Sequence, residues 1–222
     1  MNNLKNKIKV CAVIPFYNEK SFIRKLIVNT SKYVDFICAV DDGSVDNSFA
    51  EISDLNNLEI IKLDKNYGKG FALQTGFEYC IKKDYEVIIT IDADGQHNPD
   101  FIPTLIEHLA YFDIVIGNRL NDIKLMPVNR IISNKLTSKL LSLKTGQKIS
   151  DSQCGFRAYK KNVLKKCKTK FKGFEAESEI LVIASRNGFK IGHTEIDTIY
   201  GNEKSKMKSI PAIVGFFKVL LL

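Results

Sequence analysis

Asp92 and Asp94 stand one residue apart at the end of an apolar run, Val87-Ile88-Ile89-Thr90-Ile91, and Gly95 and Gln96 follow them. Side chains alternate along a strand, so two carboxylates in this relation at its end face the same side. Crowding two negative charges is unfavourable unless a cation lies between them. A hard divalent ion, Mg²⁺ or Mn²⁺, takes oxygen ligands and shares them with substrate phosphates. The same residues also make an ordinary turn rich in Asp and Gly. What separates the two readings is the set of elements around the pair.

Those elements repeat. Ile8 to Ile14 reads as a strand, stopped by Pro15-Phe16-Tyr17-Asn18-Glu19 and followed by a helix carrying Phe22, Ile23, Leu26 and Ile27. Phe36 to Val40 is a second strand, ended by Asp41-Asp42-Gly43-Ser44. Ser44 or Asp46 caps a next helix with Phe49, Ile52 and Leu55 on one face. Leu58 to Leu63 is a third strand, and Asn66-Tyr67-Gly68-Lys69-Gly70 turns into a helix with Phe71, Leu73, Phe77 and Cys80. The apolar run before Asp92 is the fourth strand. A helix with Pro103 in its first turn follows from about Asp100 to Ala110.

Strand followed by helix, four times over, predicts an α/β, Rossmann-like fold: a mainly parallel central sheet flanked by helices. Ligands bind such sheets at the carboxyl ends of the strands. Tyr17 and Glu19, Asp41 and Asp42, Lys69, and Asp92 and Asp94 all lie at those ends. Strand ends that are merely polar would not place acid pairs at two of them. The turn at Gly68-Lys69-Gly70 has the form that brings backbone N–H groups and a Lys to phosphates. It has neither Walker A nor GxGxxG spacing. A metal held by carboxylates and phosphates, at a nucleotide site lacking both motifs, points to a metal-dependent transferase.

The second half is less regular. Asp113 to Gly117 reads as a strand ending in Asn118-Arg119, and Leu120 to Val128 as a mobile loop. Asn129 to Leu143 is an amphipathic helix with Ile132, Leu136, Leu140 and Leu141. Ile149 to Tyr159 is a strand with its approach, Phe174 to Asn187 a helix, and Gly192 to Thr198 a last strand. Residues 1–208 are expected to form one domain. The apolar segment after it, 209–222, is too short to span a bilayer and carries Phe216, Phe217 and Lys218, which suits a membrane interface.

The chain has 222 residues and a net charge of +8, and all but five of its 33 basic residues are Lys. Such a balance suits anionic surfaces or phosphorylated substrates. No basic run is interleaved with aromatics, so nucleic acid is not the expected partner. The five cysteines show no CxxC spacing, and the N-terminus has no apolar signal region, which reads as a reducing, cytoplasmic protein.

Six segments taken together resemble a known family: VIPFYNE (Val13–Glu19), DDGSVDNS (Asp41–Ser48), NYGKGFALQTGF (Asn66–Phe77), IDADGQHNPD (Ile91–Asp100), GNR (Gly117–Arg119) and SDSQCGFRAY (Ser150–Tyr159). They are similar to glycosyltransferase family 2, and within it to the dolichyl-phosphate mannose/glucose synthase-like branch. The resemblance runs over residues 8–208. It implies a GT-A fold, an NDP-sugar donor, a divalent metal and inversion at the anomeric carbon. By position it implies that Pro15, Tyr17, Glu19 and Asp42 cradle the base and ribose, and that Lys69 contacts the nucleotide. Asp92 and Asp94 would bind metal, with Gln96 completing the shell, and Arg119 and Arg130 would bind the phosphate of a polyprenyl-phosphate acceptor.

Two departures stand out. Where the branch has a Ser four residues after Arg130, this chain has Asn134 with Ser133 beside it. The tail, Tyr200 to Lys206, lacks an expected Arg, a role left to Lys204 or Lys206. Asp151 and Gln153 fall beside the acceptor site, and Arg157 is read as structural. His97 is expected to orient the site, and His108 and His193 to be structural. Glu175, Glu177 and Glu179 either complement a helix N-terminus or, at Glu177, supply a base for a hydroxyl acceptor.

The expected reaction is displacement of NDP by a polyprenyl-phosphate oxygen, by an enzyme peripheral on the inner face of a membrane. A membrane protein or a second copy are the further partners considered. A phosphate needs no general base, whereas a sugar hydroxyl does. The alternative is a family 2 enzyme with a sugar hydroxyl acceptor in surface polysaccharide or glycoconjugate synthesis. A nucleotidyltransferase would instead show a Gly-rich N-terminal loop where this chain has VIPFYNE.

Overall fold

The computed structural model describes residues 8–120, 126–197, 199 and 209–222. In chain order the elements are β1 (Val10–Phe16), α1 (Ile23–Thr30), β2 (Phe36–Asp41), β3 (Leu58–Lys62), α2 (Lys69–Lys82), β4 (Val87–Thr90), α3 (Ile102–His108) and β5 (Ile114–Asn118). They continue with α4 (Val128–Thr145), β6 (Arg157–Lys160), α5 (Lys161–Lys166), α6 (Ala176–Arg186), β7 (Ile191–Glu195) and α7 (Ser209–Leu221). One seven-stranded sheet runs in the order β3-β2-β1-β4-β6-β5-β7. β1 and β4 are buried along their whole length, as unbroken apolar runs must be when helices cover both faces.

The order places β1 between β2 and β4, all three parallel. The chain runs from β1 through β2 to β3 on one side and then crosses back to β4 on the other, and a crevice opens at the carboxyl ends of β1 and β4. β6 is the one antiparallel strand, inserted between β4 and β5 with Arg157 opposite Thr90. That reversal delivers the start of β6, and the residues before it, to the edge where β4 ends. The sequence read as strand and approach, but its direction was not legible in it.

Four local expectations are corrected. Pro15 does not stop β1; the strand continues through Phe16, with Pro15 opposite Val40 of β2. The pairing with β4 ends at Val13, so the N–H that Pro15 lacks costs no ladder bond there. The helix expected over Phe49, Ile52 and Leu55 is instead a chain of turns, with Ala50 N–H donating to Asn47 and Ile52 N–H to Phe49. Its would-be caps are spent elsewhere. The Ser44 hydroxyl accepts from Asn18 N and the Asp46 Oδ2 from Lys20 N, and Asn47 sits at φ 66°.

Asp92 and Asp94 lie beyond the last residue of β4, so strand alternation does not align them. Last, of the four apolar residues expected to mark one face of α4, only Leu141 is buried. Asn134, Ser138 and Leu141 face inward, while Ile132 and Leu136 are 62% and 56% exposed. The tail at Lys204 and Lys206, and residues 121–125 of the loop before α4, lie outside the described residues. Among the described residues, no helix is long and apolar enough to cross a membrane.

Candidate active site

Three elements bring Lys69, Asp92 and Glu177 together. Lys69 opens α2, Asp92 follows β4, and Glu177 lies in the first turn of α6. The Lys69 Nζ is 2.7 Å from Asp92 Oδ1 and 2.6 Å from Glu177 Oε2. Glycines set this approach. A Cβ on Gly70 would fall 2.4 Å from the Ala176 Cβ, so the two helix starts close on each other only because Gly70 has none. A Cβ on Gly155 would lie 2.4 Å from both Asp92 carboxylate oxygens, so the segment before β6 walls Asp92 in. The N–H of Gly68 is already donated to Asp42, so this turn contributes chiefly the Lys69 ammonium.

Charges here are interlocked. Burial works against a charged Lys69, yet Asp92 and Glu177 outweigh it and raise the ammonium above its usual value. Burial alone would raise the Asp92 carboxyl, and the Lys69 ammonium brings it below the usual range. Asp94 goes the other way, pushed up to about 6 by burial and then by the charge of Asp92, against the pull of the Gln96 N–H on its Oδ1 at 3.0 Å. An acid raised by its neighbour's charge is relieved by a cation. Asp92 and Asp94 are hard oxygen donors of the kind Mg²⁺ and Mn²⁺ accept. Among the described residues no group of three or more His, Cys, Asp or Glu could hold an ion unaided. The donor set therefore fits an ion that takes part of its shell from substrate phosphates.

The loops after β1 and β2 are stitched to each other. Asn18, at φ 54°, donates its N–H to the Ser44 hydroxyl and accepts from Val45 N through its side chain. Tyr17 and Glu19 are carried on this loop at the crevice, and Glu19 contributes to raising Asp94. Asp42 is buried, and its two oxygens accept from Tyr67 N at 2.7 Å and Gly68 N at 2.9 Å. Burial raises its carboxyl and those two N–H groups partly offset the rise. Asp42 thus holds the turn that presents Lys69.

The far side of the crevice is a second network. Arg119, just after β5, donates through Nε to Asp151 Oδ2 at 2.7 Å and through Nη2 to Oδ1 at 3.0 Å. Asp151 is fully buried and also accepts from Asn134 Nδ2 at 2.6 Å and Gln153 N at 3.2 Å. Burial would raise the Asp151 carboxyl, and Arg119 brings it well below the usual range. Gln153 Nε2 reaches the Ser133 hydroxyl at 3.3 Å, joining the network to the surface of α4. Arg130 lies in the first turn of α4 and has no ion-pair partner among the described residues.

The structure thus gathers Lys69, Asp92, Asp94 and Gln96 on one side and Arg119, Asn134, Asp151, Ser133 and Gln153 on the other. Arg157 is structural, as expected: it is wholly buried and donates to the carbonyls of Cys154, Ser152 and Glu177. His97 is buried against the Phe156 ring, and burial lowers it to about 4, so it is neutral at pH 7. His193 accepts from Ser150 N. Of the glutamates, Glu179 caps the chain at Lys170 and Phe171, and Glu177 pairs with Lys69, a contact across 108 positions that no spacing revealed. Gly155 went unremarked as well. Its only sequence signal was a glycine at a strand's approach.

Comparison with known proteins bears directly on this arrangement. Residues 11–168 match the model of the family described as Glycosyl transferase family 2. A UDP-N-acetylglucosamine–dolichyl-phosphate N-acetylglucosaminyltransferase of Methanococcus voltae is 32% identical, over 95% of this chain and 94% of that protein. A polyprenol monophosphomannose synthase of Mycolicibacterium smegmatis is 27% identical, over 82% of this chain and 74% of that protein. Among solved structures, the glucosyl-3-phosphoglycerate synthase of Mycobacterium tuberculosis with Mn²⁺, UDP-glucose and phosphoglyceric acid superposes with a TM-score of 0.75. At 18% identity over 96% of this chain and 80% of that one, it speaks to the fold. The chain belongs to glycosyltransferase family 2 and is a glycosyltransferase of the GT-A fold; its relatives there include transferases named for dolichyl phosphate and polyprenol.

Proposed function

We propose that this enzyme moves a hexose from an NDP-sugar, of the GDP-mannose or UDP-glucose type, to a polyprenyl phosphate, with inversion at the anomeric carbon. In this reading Pro15, Tyr17, Glu19 and Asp42 shape the base and ribose site at the β1 and β2 ends. Asp92, Asp94 and Gln96 hold Mg²⁺ or Mn²⁺, which when bound supplies Lewis-acid stabilisation of the departing diphosphate. Lys69 is released from Asp92 to the diphosphate. Arg119 and Arg130 take the acceptor phosphate, and Ser133, Asn134, Asp151 and Gln153 keep Arg119 and the start of α4 in register.

The observation that carries the acceptor assignment is the state of Glu177. It is the carboxylate that the sequence offers as a base for a hydroxyl acceptor, yet it is buried with Oε2 on the Lys69 ammonium and Oε1 3.8 Å from Arg157 Nε. It faces cations and not an acceptor hydroxyl. A phosphate acceptor arrives as an anion and needs no base. Its difficulty is repulsion from the donor diphosphate, which Lys69, Arg119 and Arg130 relieve. The names of the relatives that act on dolichyl phosphate and polyprenol support the same choice.

The test is product analysis. Incubation with labelled UDP-glucose or GDP-mannose, Mg²⁺ and undecaprenyl phosphate is expected to give organic-extractable label. Label that forms only with a sugar acceptor and stays aqueous would reject the lipid acceptor. Asp94→Asn is expected to lower transfer by about a hundredfold or more; near-wild-type transfer by this variant with metal present would sink the assignment of Asp94.

A further inference from the structure

Asp92 has few directions left in which to meet an ion. Its Oδ1 faces the Lys69 ammonium at 2.7 Å, and a Cβ on Gly155 would lie 2.4 Å from both of its oxygens. Backbone thus closes one approach to the carboxylate and a cation takes another. A divalent ion at Asp92 would share the carboxylate with that ammonium, and two cations so close repel each other. The ammonium is the partner able to move, because it is a point charge on a flexible stem.

Lys69 also has a second anion to move towards. Glu177 Oε2 lies 2.6 Å from the same Nζ, and the Phe174 ring centroid lies 5.7 Å from it, so the ammonium keeps a carboxylate and an aromatic face after leaving Asp92. Glu177 is the fixed member of the pair. Its side chain is 7% exposed against 25% for Asp92, and its neighbour Ala176 is packed against Gly70 at the start of α2. Its other oxygen, Oε1, is buried and accepts no hydrogen bond among the described residues, which leaves Lys69 as its principal partner. We infer that Lys69 holds Asp92 against a divalent ion, and that Glu177 sets the balance by drawing the ammonium away. Glu177 is then a positioning residue that acts on ion binding through Lys69 alone. The inference rests on the proposed metal site at Asp92, Asp94 and Gln96. If the pair served only to join α2 to α6, ion binding at Asp92 would not respond to it.

The test is binding of Mn²⁺ to the full chain without nucleotide, read from the electron paramagnetic resonance signal of the free ion. Lys69→Met is expected to bind Mn²⁺ about tenfold more tightly than wild type, because no ammonium competes for Asp92. Glu177→Gln is expected to bind it about threefold or more weakly, because Asp92 is then the one carboxylate left to Lys69. Net charge alone would give the same two directions, and the double variant separates the causes. In the Lys69→Met background, Glu177→Gln is expected to change the affinity by less than about twofold. Melting curves establish that each variant is folded, and Lys69→Gln replaces Lys69→Met if the latter is not. Additive effects of the two substitutions, or Mn²⁺ binding that Lys69→Met leaves unchanged or weaker, defeat the inference alone. Mn²⁺ binding retained by Asp92→Asn, or absent from both wild type and Lys69→Met, defeats the proposed metal site and the inference with it.

Discussion

Lys69 and Arg119 are both cations held by carboxylates at one edge of the sheet, but the two sides of the crevice hold them differently. Lys69 bridges Asp92 and Glu177, and the Asp92 side chain keeps 25% of its surface in contact with water. An ammonium is a point charge on a flexible stem, and it can exchange one anion for another. Arg119 is clamped by a carboxylate with no exposure at all, through two donors of its planar fork. Asp151 in turn is fixed by Asn134 and by the backbone of Gln153. The first arrangement is suited to giving way when another anion arrives. The second is suited to presenting a guanidinium in one fixed orientation, and its rigidity is bought with a polar inner face on α4.

The strongest way to break this comparison is Asp151→Ala. It strands a guanidinium with only 13% of its side chain exposed, and the Asn134 amide beside it, and should cost about 3 kcal/mol of stability, read as a large fall in melting temperature together with loss of transfer. Lys69→Met should separate the two quantities. Asp92 keeps access to water and the buried Glu177 keeps the Arg157 guanidinium 3.8 Å away, so stability should fall by less, about 1–2 kcal/mol, while transfer falls by about a hundredfold. If Lys69→Met proved as destabilising as Asp151→Ala, the contrast between exchangeable and fixed cations would be wrong.

Gly155→Ala sharpens the Lys69 side. Its Cβ would displace the Asp92 carboxylate, and kcat/KM should fall by about tenfold, equivalent to about 1.4 kcal/mol, with little change in melting temperature. The smallest effect is expected at His193. Burial lowers its imidazole to about 4, below its ordinary 6.5, so between those values the unfolded chain binds the extra proton. Its contribution is complete above pH 6.5 and is lost as the pH falls towards 4. His193→Gln should therefore flatten part of the acid limb of the stability profile, by on the order of 1 kcal/mol given its partial exposure. An unchanged limb in urea titrations at pH 4.5 and 7 would remove His193 from the account.

The Lys69 side of the crevice was far more legible in the sequence than the Arg119 side. Tyr17, Asp42, Lys69 and Asp92 each follow a strand that announces itself as an apolar run, and parallel strands put all their carboxyl ends at one edge. Glu177 was visible only as one of three acids near a helix start. Its partner lies 108 positions away, brought there by the meeting of two helix N-termini over Gly70. The face of α4 was misread because leucines and isoleucines at helical spacing ordinarily mark the buried side. Here Asp151 claims Asn134, and a buried carboxylate without its partners costs more than a few exposed aliphatics.

By itself the sequence determined the order of the strands and most of the helices, the parallel half of the sheet and the acids and lysine at its rim, because these follow from local periodicity and from the geometry of the crossover. The reversal of β6, the closure of Gly155 on Asp92, the sharing of Lys69 with Glu177 and the outward turn of α4's aliphatics were decided only by the tertiary structure. Each depends on groups far apart in the chain, whose charges and hydrogen bonds must be satisfied together once water is gone.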